Sequence, residues 1–458
     1  MTASSYRIGI IFFVSVLAFQ VTGAAASAAS WSDAIRLKID ENAARHFQNR
    51  SQVGMAVGVI SGEQTLTWSY GESSLGSGIQ PSVDHFFEIG SITKTYTATL
   101  LALEVLRNRV KLTDPVKLYW PELADTDAGE ITLESLATHH SGLPRMPNNF
   151  EPEDPLNPFK DYDQERFLIF LKTFKQNQKR PYPYEYSNVG FGLLGYLLSE
   201  KLNRISYEKY IHEQLIVPLG LTDTKVQLEP KDLIRGAQGY NSFFELIPFW
   251  DLNVLNGAGV LKATMSDLLK YARFNMNEEL SDLGQAVALA QEPRADTDQP
   301  GQRVGLAWHM DRVGNYSMVS HSGATGGYRA NLIFDKNKKV AATMLSNAAN
   351  SANCILAPIF EKTCEVEKWL QVDPVLQKKM LGHFYFEGAK LAADILLKNG
   401  AFAIEIEGQG AIRLWARSDL DYVIREADAS VVFASDSDGQ FNQFKLIQNG
   451  KSLEFLRR

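Results

Sequence analysis

Ser91 and Lys94 stand three residues apart at the head of an apolar run, Thr95 to Leu106. Within that run Ala98, Leu100, Leu101, Leu103, Val105 and Leu106 recur at helical spacing. A serine at a helix start has its hydroxyl among unpaired backbone N–H groups. A lysine three residues on lies on the same face, one turn above it. A fixed amine beside a hydroxyl can turn an alcohol, inert at neutral pH, into a nucleophile. The spacing alone is weak evidence. It recurs at Ser206-Tyr207-Glu208-Lys209, which reads as a solvated helix face.

Two further groups give the pair its company. Tyr186-Ser187-Asn188 follows the tract Pro181-Tyr182-Pro183-Tyr184-Glu185 and precedes a helical pattern that begins at Gly190. His321-Ser322-Gly323-Ala324 leads through Thr325-Gly326-Gly327-Tyr328 into a strand pattern, Ala330 to Asp335. Each has a plainer alternative. Asn188 could be a helix cap, and His140-Ser141-Gly142 repeats the later tripeptide. The later copy is preferred because it abuts a strand and a glycine-rich turn.

In these three motifs the chain resembles the serine hydrolases related to class C β-lactamases and D-alanyl-D-alanine carboxypeptidases, a branch of the serine β-lactamase and penicillin-binding-protein family. Ser91-x-x-Lys94, Tyr186-x-Asn188 and His321-x-Gly323 match that family's motifs in order. Leu136-Ala137-Thr138-His139-His140-Ser141-Gly142-Leu143, Pro218-Leu219-Gly220-Leu221 and Gly257-Ala258-Gly259-Val260 support the match, which covers about residues 40 to 365. The resemblance implies Ser91, Lys94 and Tyr186 as catalytic residues and a Ser91 acyl-enzyme. Tyr186 would accept the proton as phenolate or through Lys94. It further implies substrate binding by Asn188, His321, Ser322, Gly323 and Ala324, with the N–H groups of Ser91 and Ala324 holding the oxyanion. The implied substrates are β-lactams or D-amino-acid peptides, without metal or cofactor. An esterase on the same scaffold, or a penicillin- or peptidoglycan-binding sensor that does not turn over, are the alternatives. One departure stands out: class C β-lactamases carry lysine where this chain has His321, and an exposed imidazole is only partly charged near pH 7.

The elements that must position these residues follow from patterning. Trp31 to Phe47 reads as an amphipathic helix, and Met55 to Ile60 and Leu66 to Tyr70 as strands joined at Ser61-Gly62-Glu63. Residues 144 to 183 are rich in Pro, Asn and Asp around one helix near Phe167 to Phe174, which suggests a wall over a site. Helices are expected at Gly190 to Leu202, Tyr207 to Leu219 and Thr264 to Phe274. Strands are expected at Val304 to Met310, Tyr316 to Ser320, Ala330 to Asp335 and Val340 to Leu345. Cys354 to Leu370 reads as a closing helix. Strands at both ends of a helical middle predict an α+β fold: an antiparallel sheet flanked by helices, with a helical subdomain. Beyond Val372-Asp373-Pro374, short alternating segments and the turns Asn399-Gly400, Asp438-Gly439 and Asn449-Gly450 predict a small all-β C-terminal domain.

Length and charge bound the rest. The 458 residues suggest two domains, 31–370 and 372–458, after a leader at 1–28. Arg7, the apolar stretch Ile8 to Val21 and the small residues Ala24 to Ala28 fit a secretory signal. With no later apolar stretch of membrane-spanning length, the mature chain should be periplasmic or secreted, without a stable membrane anchor. A net charge of −7, with no basic runs, argues against nucleic acid and leaves a small molecule or peptide as partner. No Cys/His group has metal-ligand spacing. On one straight helix Cys354 and Cys364 would lie about 15 Å apart, beyond disulfide reach. Pro358 interrupts such a helix, so the pairing stays open.

Overall fold

The structure, a computed structural model, describes residues 25–458 other than positions 50, 278–279, 353, 389, 408–409, 426–428 and 449–450. Most of the expected leader, and the Asn449-Gly450 turn, lie outside the described residues.

Helix α1, Ala25–Gln48, begins before the predicted Trp31 and leads into strands β1, Gly54–Ser61, and β2, Gln64–Gly71. The sheet's other long strands come after the helical middle: β3, His309–Val313, β4, Tyr316–Ala324, β5, Arg329–Asp335, and β6, Val340–Ser346. The order β2-β1-β6-β5-β4-β3 continues into two short strands, Arg303–Val304 and Ala295–Asp296, and the paired strands run antiparallel. Period-2 alternation explains why β1 is apolar throughout. Ala56 and Ile60 face the large core beneath α2, Thr93–Leu106, while Met55, Val57 and Val59 face Ile35 and Ile39 of α1. A strand covered on both faces reads as a continuous hydrophobic run.

The helical middle holds α3, Asn188–Tyr196, and α4, Met265–Met276. The helices expected at 190–202 and 207–219 each widen into π-helical turns, at Leu197–Asn203 and His212–Ile216. Thr264 caps α4, its side chain accepting from Asp267 N, so this helix starts one residue later than the pattern suggested.

The helix expected from Cys354 to Leu370 is not there. Only Ala357–Phe360 forms a 3-10 turn, and residues 362–373 form no regular element. Cys354 and Cys364 are joined in a disulfide, with 5.3 Å between their Cα atoms. A ring that short cannot enclose straight helix, and Cys354 sits at φ +68°. Beyond it, nine antiparallel strands among the described residues, from Gly382–Phe386 to Lys451–Arg457, form a second sheet with its own aromatic core of Phe384, Phe433, Phe444 and Phe455. Lys398 pairs with Glu245, and Arg413 donates to the Ser242 carbonyl, tying this sheet to the 239–247 hairpin.

Candidate active site

Ser91 sits in a single 3-10 turn, Gly90–Ile92, that runs directly into α2. Lys94, in the first turn of α2, is fully buried. Its Nζ lies 3.0 Å from Ser91 Oγ, within hydrogen-bond reach, and donates to Asn188 Oδ1 at 2.9 Å and the Ala258 carbonyl at 2.6 Å. None of these partners is a carboxylate. Burial, and secondarily the Arg145 guanidinium, therefore hold the amine well below the ordinary lysine pKa.

Asn188 is not the cap of α3. Ser187 takes that role: its Oγ accepts from Gly190 N at 2.9 Å and donates to the Pro144 carbonyl at 2.8 Å. The Asn188 amide is thereby free to face Lys94. Tyr186 places its ring 5.0 Å from Lys94 Nζ and 5.2 Å from the Arg145 guanidinium. Burial pushes its phenol up to about 12, against the opposing pull of the Ser91 hydroxyl and Arg145.

The third motif reaches this group along β4. A Cβ on Gly323 would lie 1.9 Å from the Ile89 carbonyl and 3.1 Å from Ser91 N. On the other side Gly90, at φ +48°, leaves only 2.7 Å between such an atom and Ala324 N. The two glycines bring the backbone N–H groups of Ser91 and Ala324 together across a gap no side chain would fit. The ladder between β3 and β4 stops at His309 and Ser320, while β5 pairs with β4 through Ala324. The structure thus draws together Ser91, Lys94, Tyr186, Asn188 and the 321–324 strand.

The model of the Beta-lactamase family matches residues 39–356. The chain belongs to that family. It is 26% identical over 346 residues to a β-lactamase of Pseudomonas fluorescens, covering 68% of this chain and 93% of that relative. Over 326 residues it is 27% identical to the D-alanyl-D-alanine-carboxypeptidase/endopeptidase AmpH of Escherichia coli K12, covering 66% and 82%. Among solved structures, the β-lactamase/D-alanine carboxypeptidase of Pseudomonas syringae aligns with a TM-score of 0.64 at 20% identity, over 72% of this chain and all of that one. A class C β-lactamase from Rhodobacter sphaeroides aligns at 0.62 and 22%, over 71% and 99%. The α+β fold is the class C β-lactamase fold, and the chain is a serine hydrolase of the Beta-lactamase family.

Against that family background, the expectation of a partly charged His321 is corrected. The ring is buried, with Nδ1 2.7 Å from the Ser322 carbonyl. An Nδ1 that donates to a carbonyl leaves Nε2 without a proton in the neutral ring. Burial first, then His309 and Lys94, hold the imidazole well below its ordinary pKa. His321 is therefore uncharged near neutral pH. The ratio of kcat/KM for a carboxylate-bearing substrate to that for a neutral ester should accordingly stay flat from about pH 6 to 8. Parallel pH profiles check this, and a ratio rising toward pH 6 would contradict it.

Patterning missed the packing shell around Tyr186. His139 takes a left-handed φ of +62°. Its ring also lies 4.3 Å from that of Tyr186, and its Nδ1 accepts from Ser187 N at 3.0 Å. Opposite, His309 contacts the Tyr184 hydroxyl at 2.8 Å and lies 5.3 Å from the His321 ring. Tyr184, two residues before Tyr186, was the available signal. His309 carried none.

Proposed function

We propose that this chain cleaves amide bonds of β-lactams or D-amino-acid peptides through a Ser91 acyl-enzyme. The observation that carries the reading is the set of acceptors around Lys94. Asn188 Oδ1 and the Ala258 carbonyl can only accept, whereas Ser91 Oγ can also donate. A neutral amine keeps two protons for the first two partners and turns its lone pair to the Ser91 proton. Burial without a carboxylate favours that neutral form.

The geometry supports the following steps. Lys94 takes the proton of Ser91 as Oγ bonds to the substrate carbonyl carbon. The oxyanion rests on the N–H groups of Ser91 and Ala324. Tyr186, a phenol at neutral pH, gives its proton to the leaving nitrogen as the C–N bond breaks and is refilled from Lys94. Water then attacks the Ser91 ester with Lys94 again as base, restoring the hydroxyl. Asn188 and the open edge of residues 321–324 hold the substrate amide. Tyr186→Phe should lower turnover by about 10²–10³ while leaving the melting temperature nearly unchanged, since it removes only the hydroxyl. Stopped-flow hydrolysis alongside thermal denaturation measures both.

We further propose export, with cleavage after a leader near residue 28, supported by the Ile8 to Val21 run and by a disulfide suited to an oxidising compartment. No helix among the described residues is long and apolar enough to cross a membrane. A hydrophobic core in the second sheet, separate from those on the two faces of the first, supports units at 31–370 and 372–458. A panel of fluorescent penicillin, chromogenic cephalosporin, D-Ala-D-Ala peptide and p-nitrophenyl esters tests the activity. Ser91-dependent turnover of a β-lactam or D-peptide is expected. Turnover of the esters alone would replace the reading with an esterase.

A further inference from the structure

The motif Leu136 to Leu143, which the steps above leave without a role, runs beside Tyr186-Ser187-Asn188. After the short helix Leu133–Ala137 the chain turns at His139, whose φ of +62° is left-handed. Such a backbone is uncommon for a residue with a side chain and persists where its surroundings hold it. Here the Tyr186 segment does the holding. The His139 carbonyl accepts from Glu185 N at 2.8 Å, and His139 Nδ1 accepts from Ser187 N at 3.0 Å. Next along the same loop, the Pro144 carbonyl accepts from the Ser187 hydroxyl at 2.8 Å and the Arg145 carbonyl from Asn188 N at 3.1 Å. His139 alone takes the backbone N–H groups on both sides of Tyr186.

The ring does more than fill space. It is fully buried, with its centroid 4.3 Å from that of Tyr186 and 5.0 Å from that of Phe191. A phenylalanine could make those contacts but could not accept from Ser187 N. With Nδ1 accepting, the neutral ring keeps its proton on Nε2. Burial first, then Lys94, His321, His309 and His140, hold the imidazole well below its ordinary pKa, in the form whose Nδ1 can accept. A buried N–H left without an acceptor is costly. Removing Nδ1 should therefore shift residue 187 toward another partner, and Tyr186 and Asn188 on either side would move with it.

We propose that His139 is the positioning residue for Tyr186, fixing residues 185 and 187 so that the phenol reaches the leaving nitrogen. The inference rests on the acyl-transfer reading above and adds to it the group that aims the proton donor. A misplacement of about 1 Å can cost about 10²-fold in rate. That cost should fall on substrates whose leaving atom needs the proton. An amide nitrogen needs it, whereas a thiolate is stable enough to depart without it.

The test presents one N-acyl-D-alanine as a D-alanyl peptide and as a thioester, and follows the ratio of their kcat/KM values, amide over thioester. Tyr186→Phe sets the full fall in that ratio. His139→Phe keeps an aromatic ring without the acceptor and should lower the ratio about tenfold or more. His139→Gly relaxes the left-handed backbone, also without an acceptor, and should lower it as far. His139→Asn suits the same backbone and presents Oδ1 near the place of Nδ1, so it should restore most of the ratio. Added to Tyr186→Phe, His139→Phe should lower the ratio no further. Thermal denaturation reports the folding of each variant, and if His139→Phe does not fold, His139→Gly against His139→Asn decides. A ratio untouched by His139→Phe, His139→Asn no better than His139→Gly, or a further fall in the double variant overturns the positioning role alone. A wild type that hydrolyses neither substrate, or a ratio untouched by Tyr186→Phe, overturns the acyl-transfer reading beneath it.

Discussion

Ser91→Ala should lower turnover by about 10⁴–10⁶, the scale of losing a hydrolase nucleophile. The size follows from what is removed. Without Oγ no acyl-enzyme forms, and the backbone N–H groups of Ser91 and Ala324 can only polarise a bound carbonyl for attack by water. The fold should survive, because Ser91 is only partly buried and its hydroxyl meets Lys94 rather than filling the core. Ser206→Ala is the matching control at the second S-x-x-K. There the hydroxyl caps a short helix by accepting from Lys209 N at 3.2 Å. Its loss should cost about 0.5–2 kcal/mol of stability and no activity. Steady-state kinetics and thermal denaturation of the two variants make the comparison.

Lys94→Arg should be nearly as damaging, with turnover down by about 10⁴, the upper end for a lost general base. A guanidinium keeps the positive charge but does not give up its proton in a protein. If Lys94 acted only as a cation, arginine would rescue much of the activity. If it acts as a base, arginine should be no better than methionine. The pH profile gives a second reading of the same point. Because the Lys94 pKa is depressed, the neutral amine gains population as pH rises through that lowered value, below the ordinary 10.5. The acid limb of kcat/KM should therefore lie below 10.5 and be absent from the residual activity of Lys94→Arg.

How much of this was legible in the sequence depended on whether a signal was local. Ser91-x-x-Lys94 at the head of Thr95 to Leu106 is a local pattern, and the structure sets that pair 3.0 Å apart. The antiparallel sheet built from both ends of the chain followed from period-2 runs that the core fills on both faces. Legibility failed where a neighbour decided the outcome. A helix cap was the plainer alternative for Asn188, and it falls because Ser187, one position earlier, caps the helix instead. The 354–370 segment has helix-forming residues, yet Pro358 and the Cys354–Cys364 ring override them. His321 was expected to be partly charged because the reference value belongs to an exposed imidazole. Its charge is decided by burial among His309, Lys94 and the Ser322 carbonyl, all distant or silent in sequence.

The proposed mechanism acylates Ser91 Oγ. Incubating the purified chain with a fluorophosphonate, digesting it and sequencing the labelled peptide by mass spectrometry tests this directly. The result expected is a single phosphonyl adduct on Ser91, absent after Lys94→Arg or greatly slowed. An adduct on another serine, or an unlabelled protein that continues to turn over substrate, would contradict it.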